Sequence, residues 1–320
     1  MKIVFTLATA SLTFFVGSLQ AAYPEKPVRL IVPFAAGGPT DVVARTLADA
    51  ASQALGQSFI VDNRPGAAGA LGTAMVARSQ ADGYTLGVGS VSTLVVNPSC
   101  NPNLDYDPAK SFDHLALVAD MPLIWIEHAP GKGFKDNLDA IKKSPEKYTL
   151  GTPGSCSLGH LLLEQINDSM GVALTHIPYK GSAPSMNDFL AKSVDYIFDA
   201  ESVVMPHVRS GRAMPMAVNW PRRLPALPDT PTLAELGYPE VKVTPWYGVI
   251  APAGLPDDVK KVLVEALGKA MQDPKLQDRF KNVGMVPIST AGPDTFAKRA
   301  LGEFNSTKAF IERRNISSSN

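Results

Sequence analysis

The sequence predicts an α/β chain folded as two lobes. Two observations carry this. Short apolar, strand-like runs alternate with helix-period stretches along most of the chain, the pattern of βαβ units and largely parallel sheets. Roughly 300 residues follow position 22, more than one compact core holds, and the alternation restarts at Asp113.

The elements follow in order. Val28–Val32 is a strand, and a helix runs from Thr40 to Leu55, where Gly56 stops it. Val42, Val43, Leu47, Ala50, Ala54 and Leu55 share one face of that helix, and Asp41 complements the dipole in its first turn. Phe59–Val61 is the next strand. A turn over Asn63–Gly72 opens a helix to about Ser79, and Thr85–Gly89 is a strand that ends on Ser90-Val-Ser92. Strands follow at Leu115–Val118 and Leu123–Glu127, then a helix over Asp136–Lys143, a strand at Tyr148–Gly151 and a second glycine-bearing helix start over Thr152–His160. Thr175–Pro178 is a strand leading through Tyr179-Lys-Gly-Ser182 into a helix to Ala191; Tyr196–Phe198 is a strand that ends on Asp199, and Met214–Val218 closes this half. The proline-rich passage Pro221–Pro245 reads as an irregular return. Trp246–Pro252 is a strand, and helices over Pro256–Met271, Pro274–Asn282 and Pro293–Arg314 end the chain. Crossings near Met121–Ile124 and Thr244–Tyr247 assign residues 23–121 plus 247–320 to lobe 1 and 122–246 to lobe 2, with a cleft between them where small ligands usually sit.

Residues 1–22 read as a secretory signal peptide, with Lys2 the only charge, an apolar stretch from Ile3 to Leu19 and small residues at Ala21-Ala22. Seventeen helical residues reach only about 26 Å, short of the roughly 30 Å hydrocarbon core, so cleavage and export to the periplasm are expected rather than anchoring. Lys plus Arg equals Asp plus Glu at 30 each, and no basic run exceeds Arg222-Arg223 or Arg313-Arg314, which argues against a nucleic-acid partner. In an oxidising compartment Cys100 and Cys156 either pair or are two buried thiols.

The stretch with most chemistry is Val32-Pro-Phe-Ala-Ala-Gly-Gly-Pro-Thr-Asp41, an apolar run that stops at a glycine pair where a helix begins. A helix start presents unpaired N–H groups and a partial positive charge, and glycines allow a ligand close to that backbone, so an anion cradle is one reading and a simple chain reversal the other. Gly66, Gly69 and Gly72 have the wrong spacing for a dinucleotide fingerprint, and no cofactor is expected. The five histidines show no metal-binding spacing, and no metal is expected.

Tyr23-Pro-x-Lys-Pro-Val28, Val32-Pro-Phe-x-Ala-Gly-Gly-x-x-Asp41, Val61-x-Asn-x-Pro-Gly-Ala-x-Gly69, Asp82-Gly-Tyr-Thr85, Tyr106-Asp-Pro108, His176-x-Pro-Tyr-Lys-Gly181, Trp246-Tyr-Gly248 and Ala251-Pro-Ala-Gly254 together resemble the Bug, or TctC-like, receptors of tripartite tricarboxylate transporters. The resemblance spans essentially all of the chain after the signal. It implies a type II periplasmic binding protein fold, a ligand cleft between the lobes, hinged closure and a small carboxylate ligand: a di- or tricarboxylate, an acidic amino acid or an aromatic acid. It also implies transient docking of a monomeric receptor to membrane transporter subunits. Carried over by residue, it places a first-loop cradle on Phe34, Ala36, Gly37, Gly38 and Asp41, a second donor group on Ser90 and Ser92, and a third on Gly154, Ser155, Ser157 and His160. Tyr179 and Lys180 match a turn of the family and Asp199 an aspartate at the cleft floor, whereas Cys100 and Cys156 depart from its pattern.

Physically, three strand-end loops offer backbone and hydroxyl donors, and charge-assisted bonds of about 1.5–3 kcal/mol each can hold a carboxylate without an arginine. The serines could instead be ordinary helix caps, and Asp199 either a strand-end cap or an acceptor for a ligand ammonium or hydroxyl. Two rival classes are a ligand sensor that signals to a membrane protein and a Cys156–His160 hydrolase. The second is disfavoured because a spacing of four is usually one helix face and no orienting third group is evident, so no turnover is expected.

Overall fold

The computed structural model describes residues 23–241, 243–289 and 292–317; the expected signal segment, residues 1–22, lies outside the described residues. In chain order the elements are β1 (Val28–Val32), α1 (Pro39–Leu55), β2 (Phe59–Asn63), α2 (Ala70–Ala77), β3 (Thr85–Ser90), α3 (Asn97–Cys100), β4 (Phe112–Asp120), β5 (Leu123–His128), α4 (Phe134–Lys143), β6 (Thr149–Thr152) and α5 (Leu158–Met170). They continue with β7 (Thr175–Pro178), α6 (Ser182–Leu190), β8 (Tyr196–Ala200), α7 (Glu201–Arg209), β9 (Ala213–Asn219), β10 (Trp246–Pro252), α8 (Asp257–Gln272), α9 (Pro274–Asn282), β11 (Val286–Pro287) and α10 (Pro293–Arg314). A widened π-type turn over Ser92–Val96 leads into α3.

Two sheets result, one ordered β11-β4-β10-β3-β1-β2 and the other β7-β6-β8-β5-β9. β1 pairs in parallel with β2 and β3, and β6 with β7 and β8, as consecutive βαβ units require. The expectation of largely parallel sheets needs correction, because β10 runs antiparallel between β3 and β4, and β5 antiparallel between β8 and β9. Both are strands by which the chain enters one sheet from the other, so their direction is set by the crossing and not by a βαβ unit. β4 ends at Asp120 and β5 begins at Leu123; the chain returns at Trp246, and the two passages touch where Met121 N–H donates to the Pro245 carbonyl at 3.0 Å.

One buried apolar cluster runs through both sheets. Val28, Leu30, Ile31 and Val32 of β1 have no exposure, which explains why β1 reads as a continuous apolar run. α1 has proline in its first turn and ends at Gly56 in the left-handed conformation (φ 78°), where glycine carries no Cβ penalty. The passage after Asn219 is irregular yet pinned: Val218 bridges Thr232, and the Asn219 side chain donates to the Val243 carbonyl. Three elements have weak sequence signals. The buried run Leu94-Val-Val96 is apolar on every side and mostly β-branched, so burial rather than propensity makes it helical. α7 carries Pro206 inside it, and β11 has two residues.

Candidate functional site

The loop after β1 must turn sharply to start α1, and Gly37 makes that turn in the left-handed conformation (φ 83°). Its N–H donates to Asp41 Oδ2 at 2.9 Å. The Asp41 carboxylate also accepts from Arg45 Nε at 2.9 Å and from Asn63 Nδ2 at 2.9 Å. Burial alone would raise the Asp41 carboxyl, but bonds from Arg45, Gly37 and Asn63 hold it below the usual range. Asp41 is therefore a clamp on the loop and lines neither of the two cavities between the sheets. Ala36 and Gly37 are exposed and line neither of them. With Gly37 N–H engaged, the donors that α1 leaves outside its own ladder are the N–H groups of Gly38, Thr40 and Asp41, since Pro39 has none.

Between the sheets lie two adjoining cavities. The inner one, the floor, is lined by Gly38 and Thr40 at the start of α1, by Ser90 and Ser92 after β3, by Ser182 at the start of α6, and by Asp199. Its apolar walls are Phe34, Leu158, Leu162 and Phe198, and it is closed toward the chain crossings by Leu123, Pro245, Trp246 and Tyr247. Among the described residues, no Lys, Arg or His lines it. The outer one, the mouth, is lined by the Gly66–Gly69 loop, Asn97 and Asn101 on one side, and Pro153–Cys156, Tyr179 and Lys180 on the other; Phe34 and Pro153 border both.

Three helix starts, α1, α5 and α6, thus meet at the floor, and such starts favour negative charge. Asp199 opposes them. It is 5 % exposed, accepts from the Ala200 N–H at 2.7 Å and from the Ser182 hydroxyl, and burial pushes its carboxyl up to about 6 despite those two bonds. Burial likewise pushes the Tyr247 phenol far up, with the nearby Asp199 charge adding to it.

The other sequence-derived candidates have different places. Ser90 lines the floor while its N–H donates to Thr93 Oγ1 at 3.0 Å; Ser92 Oγ accepts from the Leu158 N–H at 3.0 Å, tying the first sheet's loop to the start of α5. Gly154 and Ser155 line the mouth. Ser157 has no exposure and caps α5 by accepting from the His160 N–H, so it lines neither cavity. His160 also lies outside both: its Nδ1 accepts from the Cys156 N–H at 3.0 Å, its ring stacks on His176 at 4.1 Å, and burial lowers it to about 4, so it is neutral with the proton on Nε2. Tyr179 donates its hydroxyl to Asp188 Oδ2 at 2.7 Å, and exposed Lys180 stands at the mouth. Cys156, read in the sequence against His160 as a rival nucleophile, is bonded to Cys100. Among the described residues there is no group of three or more His, Cys, Asp and Glu suited to a metal ion, and no helix long and apolar enough to cross a membrane.

Sequence reasoning missed Ser182, Leu158, Phe198 and the role of Trp246-Tyr247. Ser182 had a signal, since Gly181-Ser182 repeats the glycine-before-helix device of Gly38; the others come from positions far apart in the chain. Because Arg45 and Arg64 are about half exposed and reach only Asp41, Asn63 and Asp62, Arg45→Gln and Arg64→Gln are each expected to weaken ligand capture by less than about 1 kcal/mol, as calorimetry can check.

A family model described as the tripartite tricarboxylate transporter family receptor matches residues 43–316. Protein BugT of Bordetella pertussis is 37% identical over 277 residues, covering 85% of this chain and 84% of that protein. The solved structure of the periplasmic binding protein BugD superposes with a TM-score of 0.88 at 36% identity, covering 92% of this chain and 99% of that one. MatC from Rhodopseudomonas palustris, solved with bound malate, superposes with a TM-score of 0.85 at 28% identity, covering 90% of this chain and all of that one.

Proposed function

Since the chain belongs to the tripartite tricarboxylate transporter receptor family, we propose that it is a periplasmic receptor that captures a small organic carboxylate in the floor cavity and delivers it to membrane transporter subunits. The observation that carries this reading is the convergence of three helix starts and the Ser90 hydroxyl on a pocket that no cationic side chain among the described residues lines. A carboxylate there is held by backbone and hydroxyl donors, each bond contributing about 1.5–3 kcal/mol. Phe34, Leu158, Leu162 and Phe198 pack against the carbon chain, and only a small molecule fits between them.

Asp199 sets the other end of the ligand. Facing the pocket, its carboxylate accepts from a ligand hydroxyl or ammonium, or shares a proton with a second ligand carboxyl. A dicarboxylate, a hydroxy acid or an acidic amino acid meets that requirement, and the malate held by MatC is both a hydroxy acid and a dicarboxylate. Phe34, Ser90, Gly38 and Asp199 are accordingly the proposed contacts. Asp41, Ser157 and His160 position loops, while Gly154, Ser155, Tyr179 and Lys180 form the entry.

The test is a thermal-shift screen of di- and tricarboxylates, acidic amino acids and aromatic acids at millimolar concentration. An acid present at 100 times its dissociation constant adds about 2.7 kcal/mol to stability, a shift of several degrees. No shift with any acid across the three classes contradicts the proposal.

A further inference from the structure

The cleft of this receptor carries a covalent tie. Cys100 ends α3, in the segment that follows β3 of the first sheet; Cys156 sits in the loop between β6 and α5 of the second. They are disulfide-bonded, with Cα atoms 6.1 Å apart, so the bond joins the two lobes. We propose that the Cys100–Cys156 disulfide is a redox latch across the cleft mouth, holding the receptor near its closed form, and that its reduction frees the lobes to open.

The place of the bridge decides its effect. The chain crosses between the sheets at Met121-Pro122 and Pro245-Trp246, next to the floor cavity, whose lining includes Leu123, Pro245, Trp246 and Tyr247. Cys156 lines the mouth instead, together with Asn97 and Asn101, which flank Cys100 in sequence, and no crossing residue reaches that cavity. Rotation about the crossings separates the mouth walls further than the floor walls. The bridge therefore lies on the side that must part.

Neither end of the bridge has slack. Asn97 anchors α3 by donating its amide to the Ala67 carbonyl, and the Asn101 N–H returns to the Asn97 carbonyl. Cys156 is itself held in the left-handed conformation (φ 59°), its N–H on His160 Nδ1, and the next residue is the buried cap of α5. Noncovalent ties between the lobes, such as the Ser92–Leu158 hydrogen bond at the floor and the ion pairs of Arg314 with Glu164 and Asp168, can break and re-form with each opening. The disulfide cannot. Opening it takes two electrons and two protons, supplied by a dithiol that becomes a disulfide as the S–S bond breaks and two S–H bonds form.

Small-angle scattering of the ligand-free protein tests the latch in three forms: oxidised, reduced with dithiothreitol, and Cys100→Ser/Cys156→Ser. The oxidised form should scatter as the disulfide-bonded structure does, while the reduced form and the double variant, checked for fold by circular dichroism, should both show a larger radius of gyration. Adding the acid chosen in the thermal-shift screen should compact the double variant and leave the oxidised form unchanged. Equal radii in oxidised and reduced protein, whether compact or expanded, overturn the latch, as do two thiols open to alkylation in the oxidised protein. The ligand-free comparison needs no bound acid, so it decides the latch even if the receptor reading fails.

Discussion

Gly38→Val should weaken capture of the acid ten- to a hundredfold while the protein stays folded. Gly38 has φ −83° and ψ 172°, ordinary extended backbone, so valine is allowed there; the position that needs glycine for its conformation is Gly37 at φ 83°. The expected effect therefore rests on space, the close approach that the sequence suggests, and not on backbone strain. A Cβ on Gly38 stands 3.6 Å from the Ala35 carbonyl oxygen and 3.9 Å from Ser182 Cβ, so it fits. The two γ-methyl groups of valine reach further than that Cβ. They enter the gap where the starts of α1 and α6 meet over the floor, and overfilling of this kind costs about 1–3 kcal/mol. Loss of glycine at the cap adds a small penalty to α1. Calorimetry on the folded variant reads the change, and unaltered affinity would mean that the acid sits elsewhere.

Asp199→Asn should stabilise the empty receptor at neutral pH and take away the pH dependence that Asp199 imposes. The fold raises this carboxyl from 3.8 to about 6, so between those values the folded state binds more protons than the unfolded one. Stability contributed by Asp199 therefore falls as pH rises through that window, and the full cost, at most about 3 kcal/mol, stands above pH 6. The advantage of the asparagine variant should grow from pH 4 to pH 6 and then level off. Melting curves from pH 4 to 8 check this, and a difference that does not vary with pH contradicts the placement of an ionisable Asp199 in the floor. The same variant should bind the acid less well, because the site loses the charge that meets the ligand's donor.

Much of the fold is legible in the sequence because each βαβ unit writes its own boundaries. The run Val28–Val32, the glycine pair and the stop at Gly56 lie within one short stretch, and local chemistry fixes them. What escaped is what depends on the rest of the molecule. Leu94–Val96 turns helical only because it is buried on all sides, and β5 and β10 run antiparallel because they carry the chain between sheets. The candidate site divides in the same way. Gly38, Ser90 and Asp199 could be read from strand ends and helix starts. Asp41, Ser157 and His160 look like ligand contacts in the sequence because a polar residue beside a helix start has the same appearance whether it faces a ligand or braces a loop. The partners, Gly37 N–H for Asp41 and Cys156 N–H for His160, support the bracing role proposed for these two residues.

In the proposed site a carboxylate is held at the floor by helix starts and hydroxyls without a cation. A crystal structure of the receptor with the acid that gives the largest thermal shift tests it most directly. One ligand carboxylate should lie within hydrogen-bonding distance of the N–H groups at the start of α1 and of Ser90, with the ligand's far end against Asp199. A carboxylate paired instead with Lys180 at the mouth, with the floor unfilled, would overturn the proposed site.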